Sequence, residues 1–315
     1  MTQADLAPAQ LSDINQIPDD LMARILDHVV NYKRQHEGLI HVVKASGKIV
    51  DNPAIRENFA KQVVAMRRDL GLKVVVVHGA GKQIDKALHD AGFVSTKENG
   101  LRVTQAEHME TIDRVARNTN RILCDMFGTV SRGDILPIGL SGYDSELDMF
   151  AQPISAATNN FSGEKVTSLN PWRLLRHLKD EKAIPIITNM CGAQDTTSNV
   201  TKINVNADSV ASALAIHLKA HRLLMCSDVR GVLDENQHVI PEISSENFGS
   251  LKDRGILAGG MLVKVNEAFA TAAQMPAGSG VVIMDENFLM ELLTPKGHGT
   301  MIRAPGVRAP VAKPA

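Results

Sequence analysis

The chain has 315 residues, enough for one large or two medium cores, and 44% of them are hydrophobic, as in globular proteins. A net charge of −1 removes any bulk electrostatic pull toward nucleic acid or membrane, and 3% aromatic residues leave little from which to build a stacking platform for single strands. Three scattered cysteines (Cys124, Cys191 and Cys226), no signal-peptide pattern in residues 1–16, and no apolar run near the roughly 20 residues of a membrane span give the expectation of a soluble, cytoplasmic protein.

The first 17 residues are polar and aperiodic and read as a loose tail. Pro18-Asp19-Asp20 then opens a helix whose apolar stripe is Leu21, Ile25, Leu26 and Val29, continuing toward Tyr32. A strand over Leu39 to Lys44 runs into Ala45-Ser46-Gly47. Pro53 starts a helix with Ile55, Phe59, Val63, Met66 and Leu70 on one face. Leu72 to Val77 is a continuous aliphatic run, as a strand buried on both faces requires, and it ends in His78-Gly79-Ala80-Gly81 before another helix. This β-α-β-α order predicts parallel pairing. Phe93 to Val103 reads as a hairpin around Glu98-Asn99-Gly100. A long helix over Gln105 to Phe127 precedes a strand over Ile135 to Leu140. Residues 141–170 read as short strands and turns. Ile184 to Thr188, Leu223 to Cys226 and Val281 to Met284 are further buried strands, with helices at Asp208 and Met261, a last strand near Thr300, and a disordered Pro/Ala-rich tail over the final dozen residues.

The residues suited to chemistry gather at strand ends. Lys202 to Asp208 (Lys-Ile-Asn-Val-Asn-Ala-Asp) leads into a helix of small residues. Asn204, Asn206 and Asp208 stand two apart, and extended backbone sends such residues to one face. The helix start offers free N–H groups and a positive dipole end to an anion. The plainer alternative is a helix capped by Asn206. The turns at 44–47 and 78–81 follow adjacent buried strands, where ligands of open α/β sheets bind, and small residues there let backbone N–H groups approach a phosphate. Neither matches a Rossmann or Walker pattern.

Lys44 ends a strand that otherwise reads as buried, which is costly unless the charge is paired or serves an anion. The alternative is a snorkelling edge lysine. Lys264 stands near a helix start, where a cation opposes the dipole unless an anion binds nearby. Otherwise it is a solvated helix lysine. Arg102 has the planar fork that suits a carboxylate, or is a surface hairpin charge. Ser227-Asp228-Val229-Arg230-Gly231-Val232 has the form of a ligand-facing loop, or of an Asx turn. His78 has no partner at metal spacing and reads as structural; no metal ligands are expected in the chain.

In this order the motifs resemble the amino-acid kinase family, and within it the acetylglutamate kinases. The pieces are Val-Val-Lys-Ala-Ser-Gly, Val-Val-Val-His-Gly-Ala-Gly, Asn-Gly-Leu-Arg-Val-Thr at 99–104, Ile-Gly-Leu-Ser-Gly-Tyr-Asp at 138–144, Asn-Val-Asn-Ala-Asp at 204–208, Ser-Asp-Val-Arg-Gly-Val-Leu at 227–233, Gly-Gly-Met-Leu-Val-Lys-Val at 259–265 and Gly-His-Gly-Thr-Met-Ile at 297–302. The resemblance implies a three-layer αβα sandwich with a mainly parallel open central sheet. It implies a helix and tail over 1–37, an N-terminal lobe over 38–188 that holds the acyl amino acid and makes the dimer contact, a C-terminal lobe over 189–303 that holds ATP, and a tail over 304–315. The implied reaction is ATP- and Mg²⁺-dependent phosphorylation of the side-chain carboxylate of N-acetyl-L-glutamate.

By the same resemblance, Lys44 and Lys264 stabilise the transferring phosphoryl group and Asp208 orients them. Arg102, Asn204 and the turn Gly79, Ala80 and Gly81 hold the acyl amino acid, and Gly47, Ser227, Asp228, Gly231 and Lys264 serve ATP. Ser46 and Ala80 replace family glycines. An alanine at 80 disfavours positive φ and narrows the approach of backbone to ligand. The N-terminal helix and the segment from Glu291 to Thr300 resemble those of arginine-inhibited hexameric members. The implied partners are therefore further copies of the chain and arginine, although the histidine those members carry upstream is not apparent and Glu286 falls near its position. Two other readings remain open. The substrate can be one methylene longer, N-acetyl-2-aminoadipate, since a methylene is worth only about 1–3 kcal/mol in a pocket. Or the chain is a non-catalytic amino-acid sensor, like the kinase-like domain of the related synthases, without the acetyltransferase domain those carry.

Overall fold

The structure is a computed structural model that describes residues 17–98, 101–154, 161–193, 202–294 and 297–303. The expected tails at 1–16 and 304–315 and the Asn99-Gly100 turn lie outside the described residues. Helix α1 (Asp19–His36) has acids in its first turn and Lys33, Arg34 and His36 in its last, matching the helix dipole. Strand β1 (Ile40–Ala45) passes through a short helix α2 (Gly47–Asp51) into α3 (Pro53–Arg68). Asn52 caps α3 by accepting from the N–H groups of Ala54 and Ile55, and Pro53 opens its first turn. Then come β2 (Lys73–His78), α4 (Gly81–Asp90), the hairpin β3 (Thr96–Glu98) and β4 (Leu101–Val103), and the long helix α5 (Met109–Ser131).

Helix α5 begins later and ends later than its periodicity suggests. A 3-10 turn over Ala106–His108 takes its start, and its end comes where Arg132 (φ 55°) and Gly133 (φ 84°) turn left-handed. Beyond it run β5 (Leu136–Leu140), β6 (Phe150–Pro153), β7 (Ser162–Ser168), α6 (Pro171–His177), β8 (Ala183–Thr188), β9 (Met190–Ala193) and β10 (Lys202–Val205). The remainder comprises α7 (Ala207–His217), β11 (Arg222–Cys226), β12 (Glu242–Ile243), α8 (Phe248–Asp253), α9 (Gly259–Ala272), β13 (Gly280–Met284), α10 (Phe288–Leu293) and β14 (Thr300–Ile302).

Eight strands form one sheet in the order β12-β14-β13-β11-β1-β2-β8-β5, parallel throughout except where β14 pairs antiparallel with β13. Alternate residues of β2 go to opposite layers. Val75 and Val77 join the core under α6, α7 and α9, while Val74 and Val76 join the core under α3 and α5. This is the expected three-layer αβα sandwich. The stretch read only as short strands and turns supplies β6 and β7, which close with β9 and β10 into a small four-stranded barrel beside the main sheet.

Chain order reverses at β1, which lies between β2 and β11 and not at an edge. In open α/β sheets the crevice beyond the carboxyl ends at such a switch point is where ligands bind. Helix α1 has no buried residue; Val29 and Tyr32 of its apolar side chains pack onto the body, and its His36 lies against His221. Leu21, Ile25, Leu26 and Val30 face outward, with Leu26 57% exposed.

Candidate active site

Lys44 sits at the end of β1, beside the switch point. Since β1 is a central strand, the snorkelling edge lysine is ruled out. Its Nζ lies 2.7 Å from Asp208 Oδ1, and the two side chains are only 17% and 14% exposed. The contact is ionic, since Oδ1 finds no donor in hydrogen-bonding geometry. Asp208 reaches Lys44 because the chain changes direction before it. Strand β10 stops at Val205, and the Asn206 amide caps α7 by accepting from the Asp208 N–H. The capped helix and the charged site therefore coexist. The expectation that Asn204, Asn206 and Asp208 share one extended face fails at Asp208, which already belongs to the first helical turn.

A cleft of about 320 Å³ opens at this point. Its lining includes Lys44, Gly47, Arg102, Asn204 and the turn Gly79, Ala80 and Gly81. Ala80 takes φ −139°, so a side chain there meets no backbone strain, against the expectation for this turn. A Cβ at Gly47 or Gly81 would meet no atom within 4 Å, whereas one at Gly79 would come within 3.3 Å of the Ala207 Cβ, so Gly79 is the tightest of the three positions.

Arg102 is buried and not a surface hairpin charge. Its Nη1 donates to Asp85 and Ser95, and its Nη2 donates to the Gly81 carbonyl at 3.0 Å. Burial pushes the Asp85 carboxyl up, but hydrogen bonds from Arg102 and Ser95 and the nearby Lys97 outweigh it and hold the group below the ordinary aspartate value. Asn204 accepts from the Asn189 Nδ2 at 2.8 Å and points its own amide nitrogen toward Thr104 at 3.4 Å.

A second, small cavity of about 10 Å³ adjoins the first and is lined by Lys44, Asp208, Ser227 and Lys264, among others. Lys44 is the residue common to both. Lys264 makes no ion pair among the described residues. Ser227 is buried, and its hydroxyl bonds the carbonyls of Val229 and Met284. Asp228 and Gly231 line neither cavity. Asp228 is exposed, and Gly231 packs so closely on Thr300 that a Cβ there would lie 2.7 Å from its Oγ1.

His78 is buried, with Nε2 3.1 Å from the Asn120 amide and Nδ1 3.3 Å from the Gly79 carbonyl, and burial pulls it down to about 4. It supports the glycine turn and, among the described residues, no cluster suits a metal. Asp85 and Asn189 were not singled out in the sequence. Asp85 is one turn into α4 on the helix face that Arg102 crosses, a juxtaposition that depends on hairpin register. Asn189 follows a strand end, the same signal that marked Lys44, and lacked only a recognisable motif.

A parallel sheet with a cation-lined cleft at its switch point and an acid-paired lysine at the cleft's floor defines a class of phosphate-handling α/β enzymes. The chain belongs to the amino acid kinase family, whose profile matches residues 40–285. It is 33% identical over 307 residues to an acetylglutamate kinase of Rhodospirillum rubrum (92% of this chain, 95% of that one). It is 30% identical over 302 residues to the acetylglutamate kinase of Burkholderia thailandensis (93% and 98%). The protein is thus an enzyme of the kinase class. Among solved structures, N-acetylglutamate synthase of Neisseria gonorrhoeae with coenzyme A and L-arginine matches with TM-score 0.71 at 19% identity, over 89% of this chain and 65% of that one. Giardia lamblia carbamate kinase bound to AMP-PNP matches with TM-score 0.58 at 14% identity, over 85% and 99%. Both likenesses concern the fold.

Proposed function

We propose that this kinase transfers the γ-phosphoryl group of ATP to the side-chain carboxylate of N-acetyl-L-glutamate, giving N-acetyl-L-glutamyl 5-phosphate and ADP. The observation that carries the reading is Lys44, held by Asp208 and shared by two adjoining cavities. A cation at that junction is placed for a group passing from one to the other. The names of the curated relatives support the choice of acceptor.

The acceptor carboxylate, with a reference pKa of about 4.3, is ionised at neutral pH and needs no general base. One of its oxygens bonds to the γ-phosphorus as the bond from that phosphorus to the β–γ bridging oxygen breaks, and ADP leaves. What the enzyme must supply is alignment and positive charge. In this reading Lys44 and Lys264 flank the γ-phosphoryl group and Asp208 orients them. Arg102 and the N–H groups of Gly79, Ala80 and Gly81 hold the acceptor from the 38–188 lobe, with Asn204 reaching it from the 189–303 lobe. Gly47, Ser227, Asp228 and Gly231 serve ATP, mostly from the 189–303 lobe, Asp228 and Gly231 from outside the two cavities. Mg²⁺ brought in with the nucleotide would neutralise charge on its phosphates.

The test is a hydroxamate-trap or coupled ADP assay with ATP and three arms: N-acetyl-L-glutamate, N-acetyl-2-aminoadipate, and no acceptor. Turnover restricted to the first arm supports the reading. Preference for the second lengthens the substrate. Failure of both acceptors defeats the reading in favour of a sensor, a role that has no need for both Lys44 and Lys264.

A further inference from the structure

Asn189 directly follows β8 and is 6% exposed. Its Nδ2 donates to the main-chain carbonyl of Val205 at 2.6 Å and to Asn204 Oδ1 at 2.8 Å. A main-chain carbonyl can only accept, so turning the amide over would set two acceptor oxygens against each other, and the assignment of nitrogen and oxygen follows from the network. That leaves Asn189 Oδ1 buried, on a residue that lines the 320 Å³ cleft, with no hydrogen-bond partner among the described residues.

The rest of the cleft's polar lining is already engaged or gives protons. Lys44, Lys82, Lys97 and Arg102 are donors. Asp85 is occupied by Arg102, Ser95 and Lys97. Asn206 Oδ1 is taken by the Asp208 N–H, and the Ser162 hydroxyl donates to the Arg102 carbonyl. A cleft rich in donors suits the two carboxylates of the acceptor proposed above. Among the side chains of its lining, Asn189 Oδ1 is a buried neutral acceptor left without a partner among the described residues, and such an oxygen is costly to leave unpaired.

We propose that Asn189 Oδ1 accepts a hydrogen bond from the acylamino N–H of the substrate, and that this contact selects an N-acylated amino-acid dicarboxylate over an analogue whose acyl group is carried on oxygen. The inference rests on the acceptor reading above. It assigns Asn189 a specificity role, with a second task of orienting Asn204.

The experiment compares N-acetyl-L-glutamate with its ester isostere, 2-acetoxyglutarate, in wild type and Asn189→Ala. Wild type is expected to favour the amide by about 10- to 100-fold in kcat/KM, the scale of a neutral hydrogen bond made in a site that excludes water. In Asn189→Ala the amide should lose most of that advantage while the ester, which has no N–H to offer, changes little. A role confined to holding Asn204 would lower both substrates together and leave the ratio where it was, and that result overturns the proposal. So does a wild-type ratio near one, a readout that needs no variant to fold. Wild type that phosphorylates neither compound overturns the acceptor reading and this inference with it. Turnover of the amide with an unmoved ratio overturns this inference alone.

Discussion

The two cavities that meet at Lys44 are built by different means. In the larger one, side chains hold one another. Arg102 is braced by Asp85, Ser95 and the Gly81 carbonyl, and Asn204 by Asn189 and Thr104. In the smaller one, Ser227 spends its hydroxyl on main-chain carbonyls, Lys264 has no ion-pair partner among the described residues, and the space is about 10 Å³. The contrast teaches that one side of the site is prepared to read a small polar molecule. The other holds charge in reserve and must part before a nucleotide's phosphates enter. Preparation of that kind is where binding specificity comes from, because the cost of ordering the groups is met in folding.

The largest expected effect lies at the junction. Lys44→Ala and Lys264→Ala should each lower kcat by at least about a hundredfold, the scale of losing one donor to a developing charge. The proteins should stay folded, since each charge faces a cavity. The comparison sharpens if Lys44→Ala disturbs both substrates while Lys264→Ala disturbs ATP more than the acceptor, as steady-state kinetics with each substrate varied would show. Wild-type turnover in either variant removes that lysine from the reaction.

Next in size is the prepared side. Arg102→Lys should raise KM for the acceptor by about 10- to 100-fold and leave KM for ATP within about twofold, because an ammonium cannot reproduce the guanidinium's fork. Asp85→Asn keeps the contact but removes the charge that braces Arg102, so a smaller rise in the same KM, about three- to tenfold, is expected. A rise in KM for ATP in place of the acceptor would break the division into two sides. Melting curves of both variants would show whether the change is local.

The layers of the fold and the positions of the charged residues were legible because they follow from local signals. The Val-rich β2 run told of burial on both faces, and Pro53 with Asn52 marked a helix start whose cap the structure contains. Lys44 was legible as a charge with no business on a buried strand. Its partner was harder, since Asp208 reaches it only because the chain turns at Asn206. The barrel of β6, β7, β9 and β10 was out of reach. Its strands are short, and β7 with β10 and β6 with β9 pair across tens of residues, so neither period nor turn chemistry announces the closure. Asp85 and Asn189 fall in the same class, set by register between elements and not by any run of neighbours.

Histidines offer a smaller effect that again separates regions. His78 supports the acceptor turn. His41 and His221 lie beside α1 and its His36, with Arg222 and Arg303 facing them and Tyr32 and Glu291 nearby. Burial pulls His78 down to about 4 and, with neighbouring positive charge, His41 and His221 to about 3; His36 is also lowered, by burial first. Each group is depressed in the folded state, so its contribution is complete above the unfolded value near 6.5. It is lost progressively as pH falls toward the folded value, because the unfolded chain binds the proton first. Urea midpoints should therefore fall from pH 6.5 to 4.5, with a slope approaching one proton for each buried histidine. His221→Asn should flatten that slope by about one proton. A flat profile over this window would contradict the neutral state of the cluster.

The smallest effect on turnover is expected from α1, which touches neither cavity. Its exposed stripe of Leu21, Ile25, Leu26 and Val30 needs cover, and folding back accounts only for Val29 and Tyr32. We therefore expect these helices to pair between copies and extend a core dimer into a larger ring, a hexamer by the family resemblance. Removing residues 1–36 should reduce the mass measured by light scattering to that of a dimer and leave kcat within about twofold, since the cleft residues stand on other elements. An unchanged mass would mean that α1 covers its own subunit in solution. Arginine should be tested on both forms. Glu286, near the position where the family resemblance implies a histidine, binds the Lys48 ammonium at 3.4 Å, and its carbonyl accepts from Gln62. A side chain already committed in this way leads us to expect weak inhibition. Inhibition lost together with α1 would tie control to assembly, whereas equal inhibition of both forms would place the arginine response in the body of the subunit.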